Sequence, residues 1–240
     1  DRQDDESSYL WLESNPNGFA DWFADRQRET FTRVAPIRKL EILRQHPSLF
    51  ASVADVPDQL VRAPLQRAVQ LLKRHRDVRF CGHPDEADKP ISIILTTLAA
   101  TAYAQEPDVY STMINLLDRI QRYQETGVIQ CREGRWTIPN PTNPSENFAD
   151  RWNDEGSRKP EAFFGWLDWL REDLDELLNA ASPAEVDGSL RKAFGQAAGG
   201  RVAGRYRGES PRAYSLARPT YGRLFKSRKS DSTLVTQVTF

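Results

Sequence analysis

The densest concentration of groups able to hold an anion lies at residues 73–92. Lys73, Arg74 and Arg76 stand close together, Lys89 follows, and Ser92, Thr96 and Thr97 bring hydroxyls. Cations facing a hydroxyl at a helix start have the chemistry of a phosphate seat, because unpaired N–H groups and the helix dipole both favour negative charge there. Local physics taken alone favours a simpler use, with Lys73 a solvated helix-end charge and Ser92 an N-cap. His75, His83 and Cys81 invite a metal reading. Zinc needs three or four ligands in close spacing, however, and nothing nearby completes the set. These histidines therefore read as structural or surface residues. Asp4 and Asp5 are adjacent rather than spaced to converge, and read as solvated. No catalytic or metal-ligating residue is assigned within the chain.

The elements that must position these groups are helical. Pro64 suits a first helical position, and Leu65, Ala68, Val69 and Leu72 recur at i, i+3, i+4 and i+7. Lys73 to Arg76 then crowd what reads as the C-terminal end of that helix. After the polar loop Cys81–Lys89 and Pro90, residues 91–103 are apolar nearly all round, which predicts a buried core helix. Upstream, Asn15-Pro16-Asn17-Gly18 is turn chemistry. A helix over residues 19–32 follows, then a second over 34–50 interrupted near Pro36. Downstream, residues 107–124 read as an amphipathic helix ended by Gly127. Val128-Ile129 and Trp136–Ile138 read as one short β-hairpin. Asn143-Pro144-Ser145-Glu146 reads as a capping-box variant that launches a helix carrying Phe148 and Trp152. Residues 160–178 and 182–194 complete the helices, with Ser182 an N-cap, Glu185 its partner and Gly195 a stop.

The patterns QRAVQLLKRHRD (66–77), KPISIILTTLAATAY (89–103) and NPTNPSENFADRW (140–152) carry a resemblance. They resemble the bacterial cGAS/DncV-like nucleotidyltransferases, the CD-NTases of CBASS anti-phage systems, over roughly residues 9–194. More distantly they are similar to animal cyclic GMP-AMP synthase and oligoadenylate synthetase. The resemblance implies a mainly α fold, the helical C-terminal lobe of such an enzyme. Residues 1–60 would form a connector with packing helices, 61–194 the nucleotide-binding lobe and 195–240 a basic tail. By pattern, Lys73 and Ser92 fall where the family contacts the donor triphosphate, with Arg74, Arg76 and Lys89 as secondary candidates. This family pattern reverses the preference that local physics gives. The family's Gly-Ser loop and three metal-binding aspartates lie upstream of this region. The resemblance therefore implies that Mg²⁺ or Mn²⁺ is held outside this chain, and that the chain alone is inactive. It further implies NTP substrates, a partnering N-terminal catalytic lobe and CBASS accessory proteins.

Composition sets the remaining bounds. The 240 residues are 39% hydrophobic and 28% charged, the balance of a water-soluble globular protein, and no apolar run approaches the ~20 residues of a membrane span. Asp1 to Glu6 is acidic where a signal peptide is basic, and two cysteines imply no disulfide framework, so a cytoplasmic location is expected. The net charge of −1 conceals an asymmetry. From Gly195 onward nine basic residues face two acidic ones, leaving about −8 on the rest. That tail, rich in glycine, serine and arginine, reads as disordered. Its interleaved Tyr206, Tyr214, Tyr221 and Phe225 support an alternative function, a non-catalytic helical module whose tail binds nucleic acid or a protein partner. Basic tails are common enough that nucleic acid is not the expected partner.

Overall fold

A computed structural model describes residues 15–196 and residue 198. The readings of Asp4, Asp5 and the arginine- and tyrosine-bearing part of the tail lie outside the described residues. Among those described, six α-helices and two small antiparallel strand pairs build a mainly helical body.

The first helix, α1, is continuous from Pro16 to Gln45. Asn15 is its N-cap, with Oδ1 accepting from the Gly18 N–H at 2.9 Å. A Cβ at Gly18 would meet the Asn15 side chain at 2.3 Å, so this cap requires a glycine there. The break expected at Pro36 does not occur. Pro36 removes one N–H from the ladder and leaves the Thr32 carbonyl without its donor. Both residues are exposed, so water serves that carbonyl and the helix runs on. Only Gln27, Thr30 and Ala35 of α1 are buried. Polar clamps hold it in place of an apolar stripe. Arg26 donates to the carbonyls of Ala100 and Tyr103, each at 2.8 Å, and Gln105 Oε1 accepts from the Thr30 N–H and hydroxyl.

The core forms where α2 (Pro64–Phe80), α3 (Ser92–Ala102) and α4 (Val109–Gln121) meet. Leu65, Leu72, Ile94, Leu98, Leu116 and Ile120 are buried together there. The apolar periodicity of α2 and α4 and the all-round apolar surface of α3 account for this packing. Helix α5 (Lys159–Asn179) adds Phe163, Trp166, Leu167 and Leu170, and α6 (Pro183–Phe194) adds Ala193 and Phe194. Its N-terminus has the expected Ser182 cap: Ser182 Oγ accepts from the Glu185 N–H at 3.2 Å, while Glu185 accepts from the N–H of Ala181, one residue before the cap, at 2.8 Å. Gly195 ends it at φ 84°.

A hairpin is present, but its first strand is β1 (Gln130–Arg132) rather than Val128-Ile129, paired with β2 (Arg135–Thr137) and turning through Glu133 and Gly134, both at positive φ. The capping box at Asn143–Glu146 is not. Those residues belong to β4 (Asn143–Asn147), which pairs antiparallel with β3 (Pro139–Asn140). Glu146 does not cap a helix; it accepts from Asn140 Nδ2 at 2.7 Å. Asn147 Oδ1 accepts from the N–H groups of Ile138 and Ala149, and its Nδ2 donates to the Trp136 carbonyl. These bonds supply the backbone partners that a helix would have offered. Only a 3-10 turn, Asp150–Asn153, follows.

Candidate functional site: a cationic cluster between helices α2 and α3

Helix α2 continues to Phe80, so Lys73 to Arg76 sit well inside it rather than at its end. A mid-helix cation gains little from the dipole, which acts mainly within the last turn. The helix-end account of these charges therefore fails, and each has a separate placement.

Arg76 is the organiser. It is 8% exposed, and its Nη1 donates to the Pro90 carbonyl at 2.8 Å and to Ser92 Oγ at 3.1 Å. Its Nε and Nη2 both donate to Asp77 Oδ1. One guanidinium thus joins the middle of α2 to the entry of α3. Ser92 is exposed at the first position of α3, preceded by Ile91 at the N-cap, and its hydroxyl makes no capping bond. Its Oγ instead accepts from Arg76, beside the unpaired N–H groups that open any helix. Thr96 donates to the Ser92 carbonyl of its own helix at 2.8 Å, and Thr97 is buried.

Lys73 is partly buried and has no hydrogen-bond or ion-pair partner among the described residues. Burial, and then the nearby Arg76 cation, push its pKa below the ordinary lysine value. A half-desolvated ammonium beside another cation is a poor arrangement for stability and a good one for meeting an anion.

The other candidates do not converge on this point. Arg74 turns to the end of α6, donating from Nε to the Phe194 carbonyl at 2.9 Å. A Cβ on Gly195 would lie 2.5 Å from its guanidinium. Lys89 lies 3.8 Å from Glu86 within its own loop. That loop is held to the start of α5 by two ion pairs the sequence did not suggest, Arg158–Asp85 and Lys159–Asp88, each at 2.9 Å.

His75 is structural and fully buried. The Trp166 Nε1–H donates to its Nδ1 at 2.9 Å, and its Nε2 lies 2.9 Å from Asp173 Oδ2. A proton on Nδ1 would oppose the Trp166 N–H, so the ring is neutral with its proton on Nε2. Burial lowers the His75 pKa and outweighs the hydrogen bond to Asp173, which acts the other way. Burial alone would raise the Asp173 carboxyl; the bonds from His75 and Arg79 outweigh it and hold it at about 2.

Among the described residues no group of three or more His, Cys, Asp or Glu side chains is placed to hold a metal ion. The donors among the described residues do not form a site for Mg²⁺ or Mn²⁺. No helix among them is long and apolar enough to cross a membrane.

No protein-family model matches the chain. Over 194 residues it is 31% identical to a c-di-GMP synthase of Roseivirga ehrenbergii, covering 80% of this chain and 46% of that protein. Over 217 residues it is 27% identical to the cyclic dinucleotide synthase CdnG of Bradyrhizobium diazoefficiens, covering 82% of this chain and 50% of the relative. The fold matches a solved structure of the Bradyrhizobium diazoefficiens CD-NTase CdnG in complex with GTP, with a TM-score of 0.60 at 22% identity, over 82% of this chain and 57% of that one. The chain is similar to these cyclic dinucleotide synthases and shares the fold of the CD-NTase CdnG. It spans about half the length of the curated relatives it matches. Within this chain, Arg76 and Ser92 meet directly, and Lys73 shares Arg76 as its charged neighbour.

Proposed function

We propose that this chain is the helical, nucleotide-holding part of a nucleotidyltransferase that makes cyclic oligonucleotide messengers in anti-phage defence. Lys73 and Ser92 take the donor NTP triphosphate, with Arg76 setting the position of Ser92. Mg²⁺ or Mn²⁺ would be held by carboxylates outside the described residues. The observation that carries this reading is Lys73 itself: partly buried, its pKa lowered by that burial and then by Arg76, and without an anionic partner among the described residues. The Ser92 hydroxyl accepts from Arg76 at the first position of α3, where backbone N–H groups lack helical acceptors. Arg74 and Lys89 have lesser parts in this scheme, since each already has a structural partner.

The test measures NTP affinity and thermal stability for Lys73→Ala, Ser92→Ala and Leu98→Ala in the full-length protein. A charge-assisted phosphate contact contributes roughly 1.5–3 kcal/mol, so Lys73→Ala should weaken NTP binding about 10- to 100-fold. Ser92→Ala should cost about 1 kcal/mol in binding. Neither should unfold the protein, whereas Leu98→Ala removes buried methyl groups and should destabilise by ~2–5 kcal/mol. If Lys73→Ala binds NTP like wild type, the triphosphate assignment is wrong.

A further inference from the structure

Two cations in a row, Arg158 and Lys159, open α5 at its N-cap and first helical position. The dipole favours anions at that end of a helix, so positive charge there is locally unfavourable. A carboxylate of the loop Cys81–Lys89 offsets each one, Asp85 for Arg158 and Asp88 for Lys159. The two pairs differ in their surroundings. The Arg158 side chain is 66% exposed, and an ion pair in water contributes little. The side chains of Lys159 and Asp88 are only 28% and 24% exposed, so solvent screens their contact less. Lys159 Nζ donates to Asp88 Oδ1 at 2.9 Å. Both ends of this contact are anchored. Beside Lys159, α5 is fastened to the core through the buried Pro160 and Phe163. Asp88 closes the 3-10 turn Glu86–Asp88, with its N–H donating to the Asp85 carbonyl at 2.9 Å.

Asp88 precedes Ser92 by four residues, and the chain between them is extended and stiff. Lys89 lies at φ −53°, ψ 141° and Ile91 at φ −73°, ψ 151°. Pro90 between them is buried, and its ring fixes its own φ while keeping Lys89 out of the helical region. A segment this short and stiff passes a displacement at one end to the other. Arg76 grips its far end from α2, through the Pro90 carbonyl and Ser92 Oγ. Lys159 grips its near end from α5, through Asp88. With the Asp88 contact released, Arg76 alone would place Ser92.

We propose that Lys159 is a positioning residue: by holding Asp88 it fixes the entry of α3 and, with it, the hydroxyl of Ser92. Its effect on NTP binding rests on the triphosphate reading of Lys73 and Ser92, whereas its effect on α3 does not. The test uses the full-length protein with two readouts, affinity for ATP and GTP by calorimetry and amide hydrogen exchange without nucleotide. Lys159→Met keeps the aliphatic stem and removes the charge, and Asp88→Asn removes the other partner. Each should weaken ATP and GTP binding about 3- to 5-fold, the scale of one partly screened ion pair. The two losses should not add, and Lys159→Arg should bind within about 2-fold of wild type. In a Ser92→Ala background Lys159→Met should cost less than about 1.5-fold, because the group it places is gone. Lys159→Met and Asp88→Asn should both speed exchange at the Leu95 N–H, which bonds back to the Ile91 carbonyl, and leave Leu167 in α5 as in wild type. Asp88→Asn binding like wild type would overturn the proposal, since Lys159 would then act on nucleotide directly or not at all. Unchanged exchange at Leu95, or a Lys159→Met loss undiminished by Ser92→Ala, would overturn it equally. If Lys73→Ala and Ser92→Ala themselves bind nucleotide like wild type, the triphosphate reading fails, and faster Leu95 exchange in both variants still upholds the positioning of α3.

Discussion

At the scale of single residues, Asp173 shows how one carboxylate can order three helices. It is 2% exposed and accepts from His75 on α2 and from Arg79 one turn further along, and Lys192 on α6 lies 3.4 Å away. Removing one partner of a buried charged group leaves the others uncompensated, so Asp173→Asn should destabilise by about 3–5 kcal/mol in denaturant unfolding. The pH dependence follows from the two depressed pKa values. The Asp173 carboxyl titrates near 3.8 in the unfolded chain and at about 2 in the fold. Its contribution is complete above pH 4 and is lost as pH falls toward 2. His75, held neutral by burial and by the Trp166 N–H, takes up a proton less readily folded than unfolded. Below its ordinary value near 6.5 the unfolded chain binds the extra proton, and stability falls there too. Both groups act in the same direction. Stability measured from pH 7 to pH 2 should decline throughout, with the segment below pH 4 flattened in Asp173→Asn; a maximum near pH 5 would contradict this assignment.

At the scale of elements, two departures from helical expectation make opposite predictions. Pro36 lies exposed inside α1, where it costs the ladder one bond, so Pro36→Ala restores that bond. The gain of up to ~3 kcal/mol expected from helix propensity is offset by about 1 kcal/mol, because proline also restricts the unfolded chain. A net stabilisation of about 1–2 kcal/mol should appear as a higher denaturation midpoint with an unchanged slope. Asn147 works the other way. Its side chain supplies three bonds that hold β3 and β4 against the β1–β2 hairpin. Asn147→Ala leaves two N–H groups and a carbonyl without those partners and should cost about 1–3 kcal/mol. Its effect should be local, exposing the amides of Ile138 and Ala149 to hydrogen exchange before those of α2. Equal loss of protection in α2 would show that the strand pairs and the helical core unfold as one unit.

At the scale of the whole molecule, the proposed function divides binding from chemistry. The described residues offer cations, hydroxyls and unpaired helix N–H groups, and no converging carboxylates. Phosphoryl transfer needs metal ions to neutralise the phosphates and align the attacking hydroxyl. The 240-residue chain incubated with the four NTPs and Mg²⁺ or Mn²⁺ should therefore yield no cyclic or linear oligonucleotide by chromatography, while still binding NTP. Product formed by this chain would show that it contains an active site of its own.

What the sequence by itself determined was local. The stripe Leu65-Ala68-Val69-Leu72, the apolar run of α3 and the Ser182 cap of α6 each encode their geometry within a few residues, and they appear where expected. Lys73, Arg76 and Ser92 were legible as candidates because charge and hydroxyl types are visible in any chain. Their relation was not. The Arg76–Ser92 bond spans sixteen residues and depends on the angle at which α3 meets α2, which no local pattern specifies. Residues 143–147 fit a helix start by type, but Asn140 and Asn147 offered competing partners, and the strand pairing prevailed. Pro36 predicted a break that solvent exposure made unnecessary. Gln27 carried no signal at all, since a glutamine on a polar helix is ordinary until the fold buries it. Only the tertiary packing around α1 closes water off from that amide oxygen.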